Sequence, residues 1–203
     1  NLKLVSMMLQ ILQRVPGSAE PVFMKMLSEG SDSQFKAWWK LVTKATLALA
    51  VFAAGGYVLW NRLVITWWTS EEMILPLAAA ILLALVPFRY LVHYQFVNSL
   101  MLYKEIRKVK WTLVWEVILY AGLAYWLGTR FGLYGLLAAN LLSMPFGALP
   151  QGMKWLARYS SISVRAQLSL LGRVTLPLLA GFTVLFWSGF QVWASGLIGV
   201  SLL

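Results

Sequence analysis

The sequence predicts an all-α fold: a polytopic bundle of transmembrane helices with five full spans and a truncated span at each end. Three observations carry that reading. Hydrophobic residues make up 60% of the 203 and the mean hydropathy is +0.72, against about 45–50% apolar in a soluble domain. The apolar residues gather in runs near the roughly 20 residues a helix needs to cross a bilayer. The 17 Lys and Arg fall in clusters between those runs, as in the cytoplasmic loops of membrane proteins.

The same composition sets aside several classes of function. The net charge of +10 is dispersed over these connections, so it is not the footprint of a nucleic-acid binder. Cys is absent and His occurs once, which leaves little for a metal centre or an acid–base pair. No P-loop, Gly-rich dinucleotide turn, Gly-x-Ser-x-Gly or cluster of His, Asp and Glu is present. We therefore expect no enzyme, no cofactor, no metal and no nucleic-acid partner.

Taken in order, residues 2–12 read as the inner end of a truncated span, broken by Val15-Pro16-Gly17. A short, partly apolar helix follows over 20–29, and Gly30 suits its C-terminal stop. Ser31-x-x-Gln34 resembles a capping box that starts a new helix. On that helix Phe35, Trp38, Trp39 and Val42 share one face, and Lys36, Lys40 and Lys44 share another. Residues 19–40 are thus expected as cytoplasmic or interfacial helices: a helix pressed on anionic headgroups, or the basic entrance of the next span with snorkelling lysines.

The first full span covers 41–60, where Gly55-Gly56 would allow close helix contact, and Trp60, Trp67 and Trp68 form an aromatic belt beyond it. The second covers 73–103 and is long enough to tilt or bend, most readily at Pro87, which cannot donate to the Leu83 carbonyl. The third covers 111–127 with Glu116 inside it. The fourth covers 131–156, and its Pro145, Pro150, Asn140, Gln151 and small residues argue for an irregular helix. The fifth covers 167–187, after which Ser188-Gly189 turns the chain into a last, incomplete segment. The sequence begins and ends inside apolar stretches, so residues 1–203 read as one transmembrane lobe of a longer protein.

Counting Lys and Arg in the connections 14–44, 61–72, 103–111, 127–133 and 154–173 gives 5, 1, 4, 1 and 4. The alternation places the basic connections in the cytoplasm, at the inner membrane.

Arg89 and His93 are the first candidates for a substrate site. Arg89 lies about 22 Å of helix from Lys104, near the bilayer middle, and four residues separate it from His93, so both share a face. They suit a phosphate or pyrophosphate in a water-filled cavity; an Arg satisfied by carbonyls near Pro87 is the structural alternative. Glu116, about 9 Å inside the boundary set by Lys110, is the candidate for proton or cation coupling. Its depth differs from that of Arg89 by about 13 Å, which argues against a direct pair and leaves His93 or boundary lysines as partners. Asn140 and Gln151 are read first as interhelical hydrogen-bonding groups and second as lining of the substrate cavity.

One family pattern runs through these features. Pro21 to Asp32, with Leu27-Ser28-Glu29-Gly30-Ser31-Asp32, precedes a basic amphipathic helix and a span; a long span ends in the basic turn 104–110; and Phe131-Gly132-Leu133-Tyr134-Gly135-Leu136-Leu137-Ala138-Ala139 follows. This order resembles the second half of Wzx-type polysaccharide flippases, in the multidrug/oligosaccharidyl-lipid/polysaccharide exporter superfamily. The chain departs from the pattern where Ser31 separates Gly30 from Asp32 and where Leu136-Leu137 replace small residues. The resemblance implies the second lobe of a larger transporter, with the missing N-terminal lobe, membrane lipids and an undecaprenyl-pyrophosphate-linked saccharide as partners. It implies flipping of that saccharide across the membrane by alternating access, with Arg89 placed by depth to receive the pyrophosphate. The alternatives are a drug/cation antiporter of the same superfamily, which needs an acid such as Glu116, and a membrane-embedded glycosyl- or acyltransferase.

Overall fold

A computed structural model describes residues 2–68, 72 and 74–200, with side chains described for all of these except 2, 61–63, 68, 98, 178, 182 and 185–200. Their regular structure is helical: α1 (Leu2–Leu12), α2 (Arg14–Ser28), α3 (Asp32–Trp68), α4 (Leu77–Val97) continued by a 3₁₀ segment (Asn98–Tyr103), α5 (Ile106–Phe146), α6 (Ala148–Ser160) and α7 (Val164–Val200). Three stretches are long and apolar enough to cross a membrane: Asp32–Trp60, Leu77–Tyr103 and Ile106–Ser160. The outward surface fits that setting, since Trp111, Trp115, Val117, Ile118 and Tyr125 on α5 all stand exposed.

The breaks between helices follow local chemistry. The first comes at Gln13, and Pro16 sits in the opening turn of α2, where its missing N–H costs nothing. Gly30 ends α2 with φ +67°; its N–H donates to the Leu27 carbonyl and that of Ser31 to the Met26 carbonyl, the paired bonds of a Schellman stop. Helix α3 then starts directly after Ser31 and continues without interruption through the basic stretch and the first expected span. The expected face divides within it: Phe35 and Trp39 are fully buried, while Trp38 is exposed.

The third stretch is a helical hairpin. At Gly132 the backbone leaves helical geometry (φ 56°, ψ −130°), a conformation open to Gly at little cost. The chain returns antiparallel. A Cβ on Gly135 would overlap the Leu127 backbone, and one on Gly147 would lie 3.3 Å from Glu116 Cα. Lys108 stands over the Trp155 ring, and Thr112 Oγ1 donates to Gln151 Oε1 at 3.4 Å. From 108 to 112 to 116 on the outgoing arm, the partners step back from 155 to 151 to 147. The returning arm breaks again at Gly147 (φ −107°, ψ −93°), between Pro145 closing α5 and Pro150 in the first turn of α6.

Several expected boundaries change. The fourth span, expected whole over 131–156, is divided at Gly147. The expected turn at Ser188-Gly189 is absent: α7 passes through it to Val200. One Gly and one Ser cost a helix only about 1 kcal/mol and 0.5 kcal/mol, and no Pro stands there to stop it. Helix α4 runs on through Pro87 to Val97, and the 3₁₀ segment follows it. Close approach of α3 and α4 runs through Ala54, Ala80 and Ala84, whereas nothing lies within 4 Å of a Cβ built on Gly56. Trp60 and Trp67 are exposed as an interfacial belt requires; the Trp68 side chain, Glu71 and Met73 lie outside the described residues.

A continuous aromatic seam joins the three basic connections at one end of the molecule. Phe23 meets Phe35 edge-on at 5.5 Å, Phe35 meets Tyr103 at 5.9 Å, and Tyr103 stacks on Tyr159 at 5.6 Å. Each such pair adds about 0.5–1.5 kcal/mol beyond area burial. Val97, Leu100, Val109, Met153, Leu156 and Ile162 fill the core around it. Gln167, fully buried, locks α7 to this end by donating to the carbonyls of Met153 (3.1 Å) and Ile162 (2.8 Å).

Candidate functional site

Helix α4 presents Arg89 and His93 one turn apart to the outgoing arm of α5, which supplies Glu116. Arg89 Nη2 donates to Glu116 Oε1, and His93 Nδ1 lies 3.0 Å from Glu116 Oε2, at ion-pair distance but poorly aligned for a linear hydrogen bond. Only 16%, 14% and 7% of the Arg89, His93 and Glu116 side chains is exposed. A charge so far from water is tolerated when paired, and here one carboxylate serves two basic groups.

The direct Arg89–Glu116 pair corrects the expectation drawn from depth. That count converts residues to depth with a single rise along one axis. Helix α5 begins at Ile106, ahead of the Lys110 boundary used for Glu116, so Glu116 stands about 15 Å along it, and helices that tilt differently do not keep the depths a residue count assigns. The approach of Glu116 to His93 agrees with expectation.

The returning arm completes the cluster. Arg89 Nη2 also lies 3.3 Å from Ser143 Oγ, and Ser143 donates to the Asn140 carbonyl at 2.9 Å. Gly147 admits the arm against the backbone of Glu116; any side chain there would push the two apart. Asn140 therefore stands one turn from Ser143, while its Oδ1 and Arg89 Nε are buried with no hydrogen-bond partner among the described residues. Gln151 is placed elsewhere, on Thr112, one turn from Glu116.

Two groups carry no signal of their own in the sequence. Ser143 is one of many small polar residues; its spacing of three from Asn140 is the feature that marks a shared face. The second is a buried polar tie between α3 and α4: Gln95 Nε2 donates to Thr43 Oγ1 at 2.7 Å, Thr43 donates to the Trp39 carbonyl at 2.7 Å, and Trp39 Nε1 donates to Ser99 Oγ at 3.3 Å.

Chemically, the cluster can hold a proton, exchange the guanidinium between carboxylate and an external anion, and couple α4 to both arms of the hairpin. No group of three or more His, Cys, Asp or Glu able to hold a metal occurs among the described residues. Comparison with protein-family models, with curated proteins and with solved structures finds no match to this chain.

Proposed function

We propose that the chain is a lobe of a secondary transporter that moves a lipid-linked, pyrophosphate-bearing saccharide across the cytoplasmic membrane by alternating access. The observation that carries this reading is the Arg89–Glu116–His93 cluster set between helices of membrane-crossing length. Ionisable groups within such segments are costly and mark substrate and ion paths. The pair joins two different helices, so it is a contact with two states. With Glu116 ionised, the guanidinium is occupied. With Glu116 protonated, it is free to take two oxygens of a phosphate in its forked geometry. Arg89 Nε and Asn140 Oδ1, without protein partners among the described residues, are a donor and an acceptor left for cargo. His93 Nδ1 stands 3.0 Å from the carboxylate's second oxygen.

Five spans, with the 5, 1, 4, 1, 4 alternation of basic residues setting the basic connections in the cytoplasm, complete the reading. The aromatic seam supports it by gathering the three basic connections at one end. The test is complementation of a flippase-deficient strain. Arg89→Ala abolishes growth rescue while membrane abundance and thermal stability of the Arg89→Ala/Glu116→Ala double variant stay near wild type. Normal rescue by Arg89→Ala overturns the assignment.

The occupation of Arg89 by Glu116 favours one competing reading, a drug/cation antiporter with Glu116 as the coupling acid. Glu116→Gln separates the two in proteoliposomes. In the antiporter it ends both cation and proton flux. In the flippase it leaves phosphate-bearing cargo bound and removes the dependence on pH.

A further inference from the structure

A second cationic site lies at the basic end, between α3 and α7, in a cavity of about 420 Å³. Lys40 and Lys44, one turn apart on α3, face Arg173 across it, and Ser169 adds a hydroxyl. Trp39 forms part of the floor with its ring, because its indole N–H is already given to Ser99. Leu170 belongs to the apolar wall. Lys40, Lys44 and Arg173 are all exposed, and no carboxylate among the described residues lines the cavity or pairs with any of the three.

Three like charges around one concavity, with no carboxylate among them, make a local positive potential that attracts an anion from outside. A phosphate fits this donor set: two ammonium groups supply point charges, the guanidinium a planar fork, and the hydroxyl a further donor. A soluble anion needs no apolar wall, whereas a lipid phosphate brings a glycerol and acyl chain that do. We propose that this cavity binds a phosphate-bearing anion, the headgroup of an anionic membrane lipid, wedged between α3 and α7. The inference stands apart from the transport reading, since none of its residues belongs to the Arg89 cluster.

The test measures thermal unfolding of the full chain in nanodiscs of phosphatidylcholine alone and with added phosphatidylglycerol, and separately in phosphatidylcholine with inorganic phosphate. The expected result is a rise in Tm of about 2–4 °C with phosphatidylglycerol, absent in Lys40→Gln/Lys44→Gln/Arg173→Gln. A control, Arg107→Gln/Lys110→Gln/Lys154→Gln, removes the same charge outside the cavity and keeps the rise. Equal stabilisation of the cavity variant, or its loss in the control variant, overturns the site. A rise with inorganic phosphate alone, lost in the cavity variant, keeps the phosphate chemistry and overturns the lipid source. Native mass spectrometry supplies the second readout: retained phosphatidylglycerol on the wild type and not on the cavity variant.

Discussion

The two groups of basic side chains in this molecule are handled in opposite ways. Arg89 and His93 are largely buried and share one carboxylate; Lys40, Lys44 and Arg173 are exposed and share none among the described residues. The difference is one of solvent. Burying an unpaired charge costs several kcal/mol, so the inner pair requires Glu116 to exist at all. At the exposed cavity water screens the repulsion, and the charges remain free for an outside partner. A buried cation thus signals through its counter-ion, and an exposed one through the lack of it.

Removing the counter-ion should have the largest effect. Glu116→Leu leaves Arg89 buried and unpaired and is expected to destabilise the protein by about 3–5 kcal/mol. Removing Arg89 as well, in Arg89→Leu/Glu116→Leu, should recover most of that loss. Lys40→Leu at the exposed site should stay within about 0.5 kcal/mol of wild type. Thermal or denaturant unfolding of these variants beside wild type, in one detergent, measures all three differences. A Glu116→Leu protein as stable as wild type would show that the pair is not buried as described.

The next effect concerns how the carboxylate is delivered. Gly147 lets the returning arm approach Glu116: a Cβ at this position would lie only 2.5 Å from the Ser143 carbonyl oxygen and 3.3 Å from Glu116 Cα. Gly147→Val should cost about 1–3 kcal/mol by overpacking and weaken the Arg89–Glu116 pair, while Gly56→Val, facing open space, should not. A smaller loss is expected from Thr43→Val. It deprives Gln95 of its partner in the α3–α4 tie, at about 1–2 kcal/mol, and should leave the α3–α7 cavity and its lipid preference unchanged. Unfolding measurements and lipid retention read the two consequences separately.

Much of this was legible in the residues, and the gaps have physical causes. Apolar run length placed spans over 41–60 and 73–103, which fall largely within the apolar stretches Asp32–Trp60 and Leu77–Tyr103, and Gly30 announced its own stop, because both are local properties. The cost of charge in an apolar run singled out Arg89, His93 and Glu116. Their mutual arrangement was legible only in part: His93 stood among the expected partners of Glu116, but the direct pair with Arg89 did not, since pairing depends on where each helix starts and how it tilts. The hairpin at Gly132 was visible as a boundary between the third and fourth spans, but the break at Gly147 was hidden among Gly and Pro residues any of which could have served. Ser143, Thr43 and Gln95 escaped because single hydroxyls and amides are common in helices, and only a partner on another helix gives them meaning.

A third arrangement, intermediate in exposure, tests the rule by its smallness. Glu105 and Lys108 pair at 3.0 Å with 28% and 27% of their side chains exposed, at the basic end beside Tyr159. The hydrogen bond with Tyr159, and then that with Lys108, holds the Glu105 carboxyl below its ordinary value of 4.5. A lowered carboxylate pKa contributes stability that is fully present above the ordinary value and disappears as pH falls through the lowered one. Between neutral pH and about 5, wild type and Glu105→Gln should therefore keep a constant difference in Tm, and that difference should vanish on further acidification. Glu116→Gln provides the contrast at neutral pH, where its loss should be several times larger because its partners are buried. Added salt should shrink the Glu105 effect and leave that of Glu116 nearly unchanged, since screening reaches exposed pairs far more than buried ones.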